Sequence, residues 1–239
     1  VDGCLSRWSD FPGYSDALAV VQDVLAKIDV RENYLSIEGP MGTGKSTYAN
    51  SRRAHSAGGT LSCDSSAMYL TEIISPEMAK ALELELDNKA REKAIQHAAL
   101  RAQPPHGSPS CPVVTERCPL SGFNFILQRY FDNLLSFEDF LETSQDILRE
   151  GYAAGTMVYM VDGVDECVQR TSRRGQAGDR FISRAHMVSS HAGHSLFCNQ
   201  LHQHPRFSVR VVNAHRGMRA MFAHLDAIVA EVFPPPDLP

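Results

Sequence analysis

Gly39-Pro40-Met41-Gly42-Thr43-Gly44-Lys45-Ser46-Thr47 decides how the rest of the chain is read. It matches Gly-x4-Gly-Lys-Ser/Thr without a mismatch, the pattern of a loop that wraps phosphate. The motif also needs a strand before it and a helix after it. Tyr34-Leu35-Ser36-Ile37 reads as a short buried strand, and Ser46 to His55 can run as a helix. Glycines at 39, 42 and 44 let the backbone turn tightly and aim N–H groups at phosphate oxygens. The start of the helix adds a positive partial charge. In this pattern Lys45 reaches the β- and γ-phosphates, and the Ser46 hydroxyl ligates Mg²⁺. The expected phosphate-binding residues are therefore Gly39, Met41, Gly42, Thr43, Gly44, Lys45, Ser46 and Thr47, and the expected ligand is a nucleoside triphosphate.

Bulk composition narrows the class. The 239 residues suffice for one α/β domain with a full core, and 43% hydrophobic with 21% charged residues is ordinary for a globular chain. A net charge of −5 argues against a nucleic-acid coat. No apolar run approaches the ~20 residues of a membrane span. The start Val1-Asp2-Gly3-Cys4 lacks the basic-then-apolar pattern of a secretory signal. The six cysteines show no Cys-x2-Cys spacing and read as reduced thiols of an intracellular protein.

Outward from the loop, apolar runs alternate with helical periods. Residues 1–13 read as a lead-in, and Tyr14 to Ile28 has helical spacing. Further strands are expected at Thr60–Cys63, Pro112–Thr115, Met157–Val161 and Phe207–Val212. Helices are expected at 67–103, broken near Ser75-Pro76, and at 120–133, 137–149 behind a cap at Ser136, 164–174, 179–202 and 215–232. The expectation is a single α/β domain over 1–239: a parallel, five-stranded sheet with helices on both faces, a lid at 170–180 and a tail at 233–239.

In such a sheet, ligands bind beyond the carboxyl ends of the strands. Asp64, Glu116-Arg117 and Asp162 all stand at expected strand ends. Phosphoryl transfer needs a carboxylate to take or orient a hydroxyl proton, a metal ligand and neutralising cations. Asp64 fits the base, Glu116 the Mg²⁺ ligand, and Arg117 a clamp on phosphoryl or hydroxyl. Arg170-Thr171-Ser172-Arg173-Arg174-Gly175-Gln176-Ala177-Gly178-Asp179-Arg180 alternates arginines with a Gly-rich break, as expected of a lid that closes cations over a triphosphate. His186, His191, His194, His202 and His204 lack partners at ligand spacing and are read as surface residues.

With these motifs in place, the chain resembles the deoxynucleoside kinases, and most of all the thymidine kinases of herpesviruses. The resemblance covers about residues 34 to 232. Ile37-Glu38-Gly39-Pro40 is close to the viral loop. Thr115-Glu116-Arg117-Cys118-Pro119 sits where the family has Glu-Arg-Ser or Asp-Arg-His-Pro, and Ala177-Gly178-Asp179-Arg180 where the viral enzymes have Pro-Gly-Glu-Arg. The resemblance implies P-loop kinase architecture and ATP-dependent 5′-phosphorylation of thymidine or deoxycytidine. It makes Asp64 the general base, with Lys45 and Arg117 catalytic beside it. Tyr69 becomes an aromatic wall for the base, Gln96 the glutamine on the pyrimidine edge, and Asp179 the acceptor from the sugar 3′-hydroxyl. Glu116 falls near Mg²⁺, Arg170 and Arg174 become lid cations, and Asn213 belongs to the adenine-side loop. A homodimer follows from the same likeness, in the cytoplasm or nucleus of a host cell if the source is viral.

The sequence also departs from the family. Asp64 and Asp179 are each one methylene shorter than the usual Glu. Ser65 replaces a Pro, Gln176 replaces a lid arginine of some relatives, and Gly122 stands where some cellular enzymes have a base-selecting Asp. A Gln offers both donor and acceptor, so Gln96 pairs with thymine or, flipped, with cytosine. A surface position for Gln96 and a core position for Tyr69 remain open. Three other readings compete: a thymidylate-type nucleoside monophosphate kinase, a nucleotide-binding protein without catalysis, and a P-loop ATPase or GTPase. In the last, Asp162 ends a Walker B strand and Asp165 or Glu166 orients water; the arginine lid and the lack of a guanine-reading Asn/Thr-Lys-x-Asp element speak against it.

Overall fold

Two ten-residue strands, β1 (Asp29–Glu38) and β4 (Tyr152–Val161), lie side by side and parallel at the centre of the sheet. The structure is a computed structural model and describes residues 8–55, 67–70, 112–174 and 182–234. Around this pair the described strands form one five-stranded parallel sheet, in the order β2 (Met68–Leu70), β3 (Val113–Glu116), β1, β4, β5 (Ser208–Asn213).

Alternation along the central strands sorts side chains between two faces. Tyr34 of β1 with Met157 and Tyr159 of β4 packs under α1 (Tyr14–Lys27), α3 (Gly122–Phe131), α4 (Phe137–Glu150) and α6 (Arg184–Gln203). Leu35 and Ile37 with Val158 and Met160 face the other way, under α2 (Lys45–His55) and α7 (Met218–Val232). A smaller cluster joins α5 (Val164–Arg174) to α6 through Val164, Cys167 and Met187. Local sequence accounts for the helix starts. Ser136 Oγ accepts from Asp139 N at 3.1 Å, and Ser183 Oγ accepts from His186 N at 3.1 Å.

Three expectations change. Residues Met68–Leu70, expected in a helix, form strand β2 beside β3; a three-residue run is too short for periodicity to separate the two. The expected strand Thr60–Cys63 lies outside the described residues. Strand β1 begins at Asp29, because Asp29, Val30 and Arg31 pair with Tyr152, Ala153 and Ala154. This outer half is polar and partly exposed, and an irregularity between Arg31 and Leu35 separates it from the buried half. The Arg31 guanidinium lies 3.5 Å from the centroid of Tyr152, a cation–π contact that anchors the polar end. Finally, His191 and His194 are buried in α6 and not on the surface.

The sheet order fixes where a ligand can sit. The chain leaves β1 toward β2 on one side, and leaves β3 toward β4 on the other. Connections diverge at the tips of β1 and β3, which opens a crevice at that switch point.

Candidate active site

The tip of β1 runs into the phosphate loop. Gly39 has φ 132°, and a Cβ there would lie 2.3 Å from the Met160 carbonyl oxygen, so only glycine lets the loop leave the strand. Gly42 has φ 83° and backs onto Cys167 O, where a Cβ would stand at 2.9 Å. Met41 packs against the α5–α6 cluster, and Thr43 Oγ1 donates to Pro40 O at 3.0 Å, which closes the turn. Helix α2 then starts at Lys45, with no acidic residue in its first turn to oppose an anion. Lys45 is buried. Its Nζ donates to Gly39 O and Pro40 O, each at 2.8 Å, and to Thr43 Oγ1 at 3.4 Å. These acceptors are neutral, and a phosphate oxygen is the stronger partner for an ammonium. Ser46 and Thr47 are exposed at the helix start.

The neighbouring strand delivers the acid and the cation. Glu116 at the tip of β3 pairs in register with Ile37, and its Oε1 accepts from Ser46 Oγ at 2.5 Å. The next residue, Arg117, turns the chain with φ 66°. A left-handed backbone at a non-glycine residue costs about 1–3 kcal/mol and persists where surrounding contacts enforce it. Here Arg117 N donates to Ile37 O at 3.3 Å, and Thr115 Oγ1 donates to Arg117 O at 2.7 Å. The turn lays the guanidinium over the ring of Phe125 in α3, 4.5 Å from its centroid. The Ser46 hydroxyl and the Glu116 carboxylate thus meet where β1 and β3 end, with Arg117 the next residue along the chain.

Beneath them lies a residue that the sequence reading missed. Glu38 ends β1 and is fully buried on the α3 face, accepting hydrogen bonds from the Ser36 and Ser121 hydroxyls. Burial raises its pKa; the positive charge of Arg117, the two hydroxyls and Lys45 act in the opposite direction. The signal was available: along the α3 face, β1 reads Tyr34, Ser36, Glu38, so an apolar stripe turns polar just before the loop. Further back, Tyr159 of β4 meets His194 of α6 edge to face, with ring centroids 6.0 Å apart. Burial holds His194 well below its ordinary range, helped by the charges of Arg117, Lys45 and His191. Phe125 was also missed, since a helical Phe gives no sign in sequence of which residue it will face.

The remaining candidates divide. Asp162 stands at the tip of β4. Its buried carboxylate lies 2.5 Å from Arg170 NH1. Arg170 NH1 also donates to Gly42 O at 3.3 Å, which places this arginine of α5, expected in a lid, at the outer edge of the phosphate loop. Arg174 ends α5 and is exposed. Asn213 closes β5, and its side chain accepts from His215 N at 2.8 Å, shaping the short turn Ala214–Arg216. Tyr69 lies on β2, in register with Val114 of β3. Asp64, Gln96 and Asp179 lie outside the described residues, as do residues 175–180 of the expected lid.

No protein-family model matches the sequence, and no curated protein matches it. Solved structures do match in three dimensions. A deoxyadenosine kinase from M. mycoides with products dCMP and a flexible dCDP bound superposes with a TM-score of 0.64 at 17% identity, covering 83% of this chain and 99% of that one. The chain has the fold of a deoxyadenosine kinase. The same bacterial kinase with dATP bound gives a TM-score of 0.62 at 17% identity, over 82% of this chain and 98% of that one. With dCTP bound it gives 0.60 at 16% identity, over 83% and 99%. At such identities the likeness establishes architecture; the herpesvirus thymidine kinase resemblance rests on sequence motifs alone.

Proposed function

We propose that this chain is a deoxynucleoside kinase that transfers the γ-phosphoryl group of ATP to the 5′-hydroxyl of a pyrimidine deoxynucleoside, thymidine or deoxycytidine. The observation that carries the reading is the convergence at the β1–β3 switch point. Ser46 and Glu116 are joined at 2.5 Å, and Arg117 is held beside them by a strained backbone. The shared fold with deoxyadenosine kinase supports it.

In this reading the loop amides and Lys45 hold the β- and γ-phosphates, with Lys45 exchanging its carbonyl acceptors for phosphate oxygens. Arg117 neutralises charge on the phosphoryl group in flight and orients the acceptor hydroxyl. Asp64 takes the hydroxyl proton, Tyr69 and Gln96 hold the base, and Asp179 holds the 3′-hydroxyl; these roles come from the family resemblance. Ser46 Oγ and Glu116 Oε1 fit Mg²⁺, which accepts one or two protein oxygens and keeps several waters. When bound, Mg²⁺ screens the β- and γ-phosphate charge. The reading also carries a homodimer and an intracellular site of action.

The test is ADP release from ATP by the purified protein with thymidine, deoxycytidine, deoxyadenosine or deoxyguanosine, or with no acceptor. Release that depends on a pyrimidine deoxynucleoside, with its 5′-monophosphate as product, is expected. Release at the same rate without acceptor overturns the proposal and favours an ATPase.

A further inference from the structure

Asp162 has no part in the assignments above, yet its carboxylate is held from several sides near the phosphate loop. It stands at the tip of β4, and its side chain is 0% exposed. Gly163 N donates to its Oδ1 at 2.9 Å, and His215 Nδ1 lies 3.6 Å from the same oxygen. Its backbone carbonyl faces His191 Nε2 at 3.2 Å. An acid held this way cannot swing to follow a ligand. Its other oxygen, Oδ2, lies 2.5 Å from Arg170 NH1, an ion pair off the hydrogen-bond axis, while NH1 aligns with Gly42 O at 3.3 Å.

Among the described residues, the one hydrogen bond that the Arg170 guanidinium donates leaves from NH1, and the side chain is 39% exposed. A guanidinium carries five N–H donors in a planar fork, so Nε and NH2 remain to meet an anion without breaking the NH1 anchor. Gly42 belongs to the loop itself, which puts those donors at its rim.

We propose that Asp162 is a positioning residue: it pins one nitrogen of Arg170 at the outer edge of the phosphate loop, so that the remaining donors meet the terminal phosphate of the donor nucleotide. The inference rests on the proposed function in taking ATP as donor. Because the cation is held by a buried, immobile acid, less side-chain freedom is lost when the phosphate arrives. A lysine cannot substitute, since a single ammonium has no second nitrogen to hold the anchor while binding phosphate.

The test is calorimetric binding of ATP and of ADP, each with Mg²⁺ and without acceptor, so that it reads independently of which acceptor, if any, is phosphorylated. Wild-type protein is expected to prefer ATP. Asp162→Asn is expected to weaken ATP about tenfold while ADP changes less than about twofold. Arg170→Lys, which leaves the buried acid a cationic partner and so preserves the fold, is expected to lose the same preference. In an Arg170→Gln background, Asp162→Asn is expected to add nothing further. Equal losses for ATP and ADP in Asp162→Asn, an unchanged preference in Arg170→Lys, or full additivity of the double variant would each overturn the proposal.

Discussion

Ser46 Oγ and Glu116 Oε1 are hydrogen-bonded at 2.5 Å although they come from different elements, the first turn of α2 and the tip of β3. Parallel pairing of β1 with β3 sets this distance, because Ile37 lies in register with Glu116 and the loop after β1 folds back above it. If this pair receives Mg²⁺, Glu116→Gln should raise the Mg²⁺ concentration for half-maximal phosphorylation about tenfold at fixed ATP. A titration with an unchanged midpoint would move the metal away from β3.

Lys45 is bound by two carbonyls and a hydroxyl of its own loop. Lys45→Ala should leave the fold intact and lower phosphoryl transfer by about 10²–10³. Melting curves and turnover measured on one preparation check both halves. Near-normal turnover would reject the phosphate-loop assignment.

Glu38 carries a pH signature. Its pKa is raised above the ordinary 4.5 by burial. As pH rises past that value, the unfolded chain releases this proton while the folded chain retains it. Stability is therefore fullest below 4.5 and falls, by up to about 1.4 kcal/mol per pH unit, until the folded group titrates. Glu38→Gln should lack that fall. Urea unfolding of both proteins from pH 4.5 upward reads the difference, and parallel curves would contradict it.

His194 acts with the opposite sign. Its folded pKa lies well below 6.5, so on acidification the unfolded chain takes up a proton that the folded chain refuses. The stability is present above pH 6.5 and is lost below it. His194→Gln should flatten the unfolding free energy between about pH 6.5 and 5. A slope equal to that of the wild type would show that this imidazole is not held neutral.

Much of the architecture was legible because its determinants are local. The glycine pattern at 39–44, the apolar run of β4 and the cap at Ser136 each specify their own geometry. The rest depended on partners distant in the chain. Met68–Leu70 becomes a strand only because β3 lies beside it, and the polar start of β1 is paired only because Tyr152–Ala154 receives it. In the site, Glu116 and Arg117 could be placed from their strand tip. Glu38 was signalled only by the polar turn of the stripe Tyr34, Ser36, Glu38; Phe125 owes its role to which face of α3 meets Arg117, and no spacing rule conveys that. The burial of His191 and His194 was missed for the same reason: α6 is buried along most of its length, including several serines, so its sequence carries little amphipathic pattern.

The pairing of Leu35 with Thr156 has a consequence for how this protein is made. Strand β1 leaves the ribosome well before β4, its longest neighbour. Until then the inner half of β1, with Leu35 and Ile37, lacks a partner on one flank, and a nascent chain stalled before residue 161 should be captured by chaperones or aggregate. Fragments that end ahead of β4 would therefore be poor starting points for isolating the part of the molecule that carries the glycine-rich loop.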